Sequence, residues 1–250
     1  MSVLRRAPLS PFQRQVMVRQ WFPFEASHSM DILRSYAQGV EAQVRVSLAQ
    51  YEERREAWIN DYNDLLETDP HPDEPDFEHA GLSGHVKDLA DVFEDFFPSL
   101  QRSSALASIY SVFENQMNTL CDLVKDAIGS KLRFQDLNGT GVERARTYLI
   151  KVGGFDLTGL DGGRHWNNVV RIREVRNCFV HADGVLNDKT RKIIRAYANE
   201  VQSLQVLGDR VKLQEGFLEE VVTGCLRYCE VLAKAAGLIF PGRGSLFASS

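Results

Sequence analysis

A chain of 250 residues, 44% of them hydrophobic and 25% charged, is long enough to enclose a sizeable core and too ordinary in composition to be disordered or fibrous. With 34 acids against 29 lysines and arginines its formal net charge is −5, which argues against a protein that coats nucleic acid over its whole surface. No stretch approaches the roughly 20 uninterrupted apolar residues of a membrane helix, and no apolar run follows Arg5-Arg6, so we expect no membrane contact, no signal peptide and a cytoplasmic location.

After a leader punctuated by prolines and ending near "WFPFEASHS", the apolar spacing from Met30 to Leu66 predicts one long helix or a helical hairpin. "ETDPHPDEPDFEHAG" then sets three prolines among acids and predicts a loop or linker. This divides the chain into a helical N-terminal extension over 1–80, ending in the acidic linker, and a second domain over 81–250. His71 and His79 stand among carboxylates there, but a solvated acidic loop fixes no ligand geometry, and we read no metal site. Helices resume at "SGHVKDLADVFEDFF", stop at Pro98 and restart with Ser99 as N-cap. The next helix is amphipathic, with Ile109, Val112, Phe113, Met117, Leu120, Leu123, Val124 and Ile128 on one side. Glu114 lies at the edge of that stripe, placed either to face water or to reach inward to an arginine. Gly139 and Gly141 precede another helix start; a phosphate-cradling loop would need more glycines and a preceding strand.

From Arg164 to Ala182 the chain is helical again and ends in "REVRNCFVHADG". Trp166, Val170, Arg173, Asn177 and His181 share one face, while Ile172, Val175 and Phe179, and Val169 with Val180, form two further apolar strips. The helix reads as buried nearly all round, yet its first stripe turns polar halfway along. Asp183 and Gly184 are natural terminators, and His181 sits in the last turn, where the negative end of the helix dipole favours an imidazolium. "TRKIIRAYANEV" continues as helix or loop, "SLQVLGDRVKLQ" alternates around Gly208-Asp209 as a hairpin, and Gly216 opens a final helix before a frayed tail. Cys121, Cys178, Cys225 and Cys229 show no CxxC spacing and read as small core hydrophobes; Cys225 and Cys229 share a face, but no histidine completes a zinc set. The expected fold is all-α, an antiparallel bundle with one small β-hairpin and a helical N-terminal extension.

Charge is unevenly placed. Acids dominate from Tyr51 to Phe96, whereas eight lysines and arginines lie between Arg164 and Arg195 against Glu174, Asp183 and Asp188. A local basic field attracts phosphate even on an acidic protein, which makes Arg171, Arg173, Lys189 and Arg191 candidate RNA contacts. The plainer reading of such a cluster is a solvated face with ordinary salt bridges.

Arg176-Asn177-Cys178-Phe179-Val180-His181 matches the R-x4-H signature of the HEPN superfamily, with a polar residue directly after the arginine. Over roughly 83–237 the arrangement also resembles it: the long helix containing "SIYSVFENQMNTLC", a middle helix, "IREVRNCFVHADG", a hairpin and a final amphipathic helix. The resemblance implies a metal-independent endoribonuclease of the toxin or anti-phage defence type, needing no cofactor. RNA is the substrate, and a homodimer brings two motifs to one cleft. His181 would be the general acid or base when the ribose 2′-hydroxyl attacks the adjacent phosphate, and Arg176 would face the charged phosphorane. Asn177 would orient the ring or bind a phosphate oxygen, and Glu114 would support Arg176. An antitoxin or regulatory protein is a further implied partner. Some HEPN toxins carry a modifiable tyrosine two residues after the histidine; here that position is Asp183. The alternative is a HEPN-like module that dimerises or binds RNA without cutting it.

Overall fold

The computed structural model describes residues 9–69, 72–159 and 161–241. Most of them are helical, with two two-stranded antiparallel sheets. Helix α1 (Pro11–Gln20) starts on a capping box, in which Ser10 accepts from the Gln13 N–H and the Gln13 side chain accepts from the Ser10 N–H. It runs through a π-helical turn (Trp21–Ala26) into α2 (Ser27–Thr68), which is one long helix and no hairpin. The leader is thus helical from Pro11 onward. Pro23 does not end the helix because it lies in the π turn, where the Ser27 N–H reaches back five residues to Phe22. That wider turn gives room to a ring that would otherwise strike the carbonyl four residues earlier.

The same device removes the expected stop at Pro98. Helix α3 (Val86–Ala90), a π turn (Asp91–Phe96) and α4 (Phe97–Ile128) are continuous, the Phe97 N–H bonds Val92 O, and Ser99 sits inside the helix instead of capping it. The acidic stretch before it is also more ordered than a bare linker. It folds into a second hairpin, β1 (Phe77–His79) with β2 (Leu82–Gly84), and the division drawn between 80 and 81 falls on its turn. Phe77 explains why, for its fully buried ring meets Tyr51 and Trp58 of α2 edge-on at 5.7 and 6.1 Å. His79 packs its ring against Phe93 at 4.7 Å, and among the described residues no cluster of three metal-ligating side chains occurs. His71 and residues 242–250 of the tail lie outside the described residues.

The chain continues through a 3-10 turn (Phe134–Asp136), α5 (Gly141–Lys151), α6 (Gly162–Ala182), α7 (Asp188–Ala198), β3 (Leu204–Leu207), β4 (Arg210–Leu213) and α8 (Phe217–Ile239). Helices α4 and α8 form the centre, and α1, α2, α5 and α6 pack on one or both of them. Ile109, Phe113, Met117, Leu120 and Val124 of the α4 stripe are buried and Leu123 partly so, whereas Val112 and Ile128, expected within it, are exposed. Gly224 lets α6 lie close on α8, since a Cβ there would come within 2.4 Å of Asn168 Nδ2. All four cysteines are free and buried, and burial pushes their thiols above the ordinary range.

The N-terminal helices share the main core, to which Val18, Trp21, Met30 and Leu33 belong. Farther along α2, Tyr51 and Trp58 enter a separate aromatic cluster with Phe77, Leu89 and Phe93. Between the two clusters Arg102 of α4 meets Glu41 of α2 at 2.8 Å, both buried, and donates to Leu213 O of β4 at 3.2 Å. One guanidinium thereby satisfies a buried carboxylate and ties three elements together. Among the described residues no helix is long and apolar enough to cross a membrane.

Candidate functional site

Helix α6 buries Val169, Ile172, Val175 and Cys178, a single strip at three-residue steps, and leaves Val180 48% exposed. It is therefore not enclosed on all sides, and its polar stripe faces outward. The stripe changes along its length. Trp166 is half-buried, with Tyr228 at 5.4 Å and the Arg146 guanidinium 4.9 Å over its ring; Asn177 is half-buried, and His181 is exposed.

The end of this helix is held firmly. Asp183 and Gly184 both take left-handed backbone, with φ of 48° and 75°, and the Gly184 N–H bonds Cys178 O while the Asp183 N–H bonds Phe179 O. Beyond the cap, Gly184 O accepts from Val211 N at 2.8 Å and the Leu186 N–H donates to Asp209 O at 2.8 Å. The last turn, with His181 in it, is thereby docked on the β3–β4 hairpin.

Arg176 is half-buried, and its Nη1 donates to Asn177 Oδ1 at 3.0 Å, so two of the motif residues already form one polar unit. Its Nε is buried without a partner, as is the hydroxyl of Tyr110 on α4. Burial pushes that hydroxyl well above the ordinary phenol range; the nearby charges of Arg173 and Arg176 act to lower it, and Glu114 to raise it. Tyr110 is therefore a neutral hydrogen-bond donor next to the motif. Sequence reading missed it, although its position four residues before Glu114 on the same helix face was available. Glu114 approaches Gly141 at the start of α5 and makes no ion pair with Arg176 among the described residues.

The candidate RNA contacts are mostly engaged. Arg173 bridges Glu143 of α5 at 2.6 Å and Glu174 at 2.7 Å. Burial alone would lower its pKa, but hydrogen bonds and charge from those two carboxylates hold it above its ordinary value. Arg171 pairs with Glu200 at 2.6 Å, and Arg191 pairs with Asp209 in the β3–β4 turn. Lys189 alone of the four is exposed with its ammonium unpaired among the described residues. Half of the basic run in the sequence, Arg171, Arg173, Arg191 and Arg195, is therefore engaged by Glu143, Glu200 and Asp209, which lie outside the run. Exposed pairs such as Arg171–Glu200 are worth about 0–1 kcal/mol and exchange readily for another anion, whereas Arg173 is fixed between two acids.

No protein-family model, curated protein or solved structure matches the chain. What remains is the local chemistry: an exposed imidazole at a pinned helix end, one turn from a half-buried guanidinium–amide pair. A cleft of about 600 Å³ opens beside it and takes Phe179 and Asp183 into its wall, together with Leu100, Leu207 and Lys212. Arg176, Asn177 and His181 lie outside that wall.

Proposed function

We propose that the chain is a HEPN-like, metal-independent endoribonuclease whose active groove is completed by a second copy. The observation that carries this reading is the accessibility of the motif: His181 is exposed and the Arg176–Asn177 pair is only half-buried, on an outward face of α6. One imidazole and one guanidinium are too few for a cleft, and a two-fold axis beside α6 would double them around one phosphate. In the reaction His181 removes the proton from the ribose 2′-hydroxyl or protonates the departing 5′-oxygen, the partner's copy of the motif serving the complementary step. The 2′-oxygen bonds to phosphorus as the bond to the 5′-oxygen breaks, leaving a cyclic phosphate and a 5′-hydroxyl. Arg176 stabilises the charge gathered on the phosphorane oxygens. Asn177 holds the guanidinium from the next position in the helix.

Of the candidate RNA contacts, Arg173 is fixed between two acids, while the exposed pairs of Arg171 and Arg191 can exchange their carboxylates for phosphate on either reading. Purified protein should cleave unstructured RNA in the presence of a chelator, and induction of the wild type should slow bacterial growth. His181→Ala should lower the cleavage rate by about 10² to 10⁴, the usual worth of a positioned acid or base, with no change in folding or oligomeric state. Arg176→Ala should lose activity on a similar scale. Intact RNA with wild-type protein, together with identical growth for wild type and His181→Ala, would refute the enzyme reading.

A further inference from the structure

A second site lies on the α2 side of the start of α4, where α2, the β1–β2 turn and α4 enclose a cavity of about 220 Å³. Its wall carries three rings, those of His79, Phe93 and Phe97. The rings are mutually braced, with His79 edge-on to Phe93 at 4.7 Å and Phe93 edge-on to Phe97 at 5.2 Å. Ser47, Gln50 and Gln101 supply the polar part, and no Lys, Arg, Asp or Glu lines the space. The side-chain oxygen of Gln101 is buried without a hydrogen-bond partner. Leaving a buried acceptor unsatisfied costs free energy, so a cavity that keeps one invites a donor.

Two backbone irregularities converge on the same place. Phe93 sits in the π turn Asp91–Phe96, an arrangement common at functional sites, and Ala80 at the rim holds a left-handed φ of 48°.

We propose that this cavity binds an uncharged nucleobase bearing an exocyclic amino group. Flat aromatic walls suit a planar heterocycle, a primary amide pairs with an amine donor and an adjacent ring nitrogen as it does on adenine, and a lining without lysine or arginine disfavours a phosphate in the pocket itself. The space is below the about 300 Å³ at which drug-sized pockets begin, which fits a base and leaves any sugar at the mouth. The base can come from a free nucleoside or from a single-stranded RNA, and the site stands independently of the ribonuclease reading.

The test is equilibrium binding of adenosine, cytidine, uridine and a short oligoadenylate to the full chain, followed by thermal shift and titration calorimetry. Adenosine and cytidine should bind saturably at one per chain and uridine more weakly. Gln101→Leu should weaken adenosine about tenfold or more, and Ser47→Phe, which fills the space from α2, should abolish binding. His181→Ala should bind like the wild type. Tighter binding of oligoadenylate than of adenosine identifies a strand as the source, and the reverse identifies a free nucleoside. Absence of saturable binding by adenosine, cytidine and oligoadenylate overturns the proposal. So does uridine binding as well as adenosine, or affinity unmoved by both pocket substitutions in folded protein.

Discussion

The two hairpins close on two-residue turns of opposite quality. In β3–β4 the first turn residue is Gly208, at φ 60°, the residue and sign that a type II′ turn requires. Arg195 donates to Gly208 O at 2.7 Å, Arg191 pairs with Asp209, and the backbone beyond the turn grips the end of α6. In β1–β2 both turn residues are left-handed, Ala80 at 48° and Gly81 at 81°, as in a type I′ turn, where the first position favours asparagine or glycine over alanine. Around it the Tyr51 hydroxyl, the Trp58 indole N–H and the Gln101 oxygen are buried without partners. The β3–β4 turn is tied from several sides and steadies the end of α6; the β1–β2 turn holds an alanine in a left-handed conformation beside buried polar groups without partners, the condition in which a ligand has something to relieve.

The contrast is broken most severely at Gly184. An alanine there must hold a left-handed φ of 75° with its Cβ 2.9 Å from a Phe179 ring carbon, so the ring must shift. Gly184→Ala should cost about 2–3 kcal/mol by denaturant unfolding, combining left-handed strain of roughly 1–2 kcal/mol with the displaced ring. On the ribonuclease proposal it should also lower RNA cleavage although no reacting group is touched. Unchanged stability would mean that the helix end is not held by this cap.

The asymmetry between the hairpins also explains what could be seen in the sequence. Gly208-Asp209 between alternating runs announces β3–β4, and α4 beyond Pro98, α6 and α8 follow from apolar spacing. Ala80-Gly81 announces nothing, because alanine carries no turn preference and the strands beside it are three residues long; only the burial of Phe77 makes them a sheet. Pro23 and Pro98 misled for a related reason. A proline reads as a helix end until the helix is known to widen around it, and widening leaves no composition mark. At the site, the helix end with Asp183 and Gly184 and the place of His181 in its last turn were legible, but the exposure of its polar stripe was not. The partners of the arginines were not, since Glu143, Glu200 and Asp209 reach them only through tertiary packing.

The strained turn gives a smaller effect of the opposite sign. Ala80→Asn keeps the left-handed conformation with a residue that tolerates it, and should stabilise the protein by about 0.5–1 kcal/mol. A raised unfolding midpoint with an unchanged denaturant slope would confirm it, and a lowered one would show that Ala80 is chosen for what its small side chain leaves open at the cavity mouth.

The smallest effect concerns the well-tied turn and its dependence on pH. Hydrogen bonding from Arg191, and then its charge, hold the Asp209 carboxyl below its ordinary value, so the ionised form favours the folded state. A depressed carboxylate contributes fully above its unfolded pKa of about 3.9 and loses that contribution as pH falls through the lower folded value. Wild type should therefore exceed Asp209→Asn in stability near pH 6, and the gap should close toward about pH 2. Because Asp209 is exposed, the gap should also shrink in about 1 M salt, where screening reaches only about 3 Å. A gap that persists at low pH and high salt would instead mean that the turn is held by its backbone bonds to Gly184 and Leu186, with the ion pair a passenger on them.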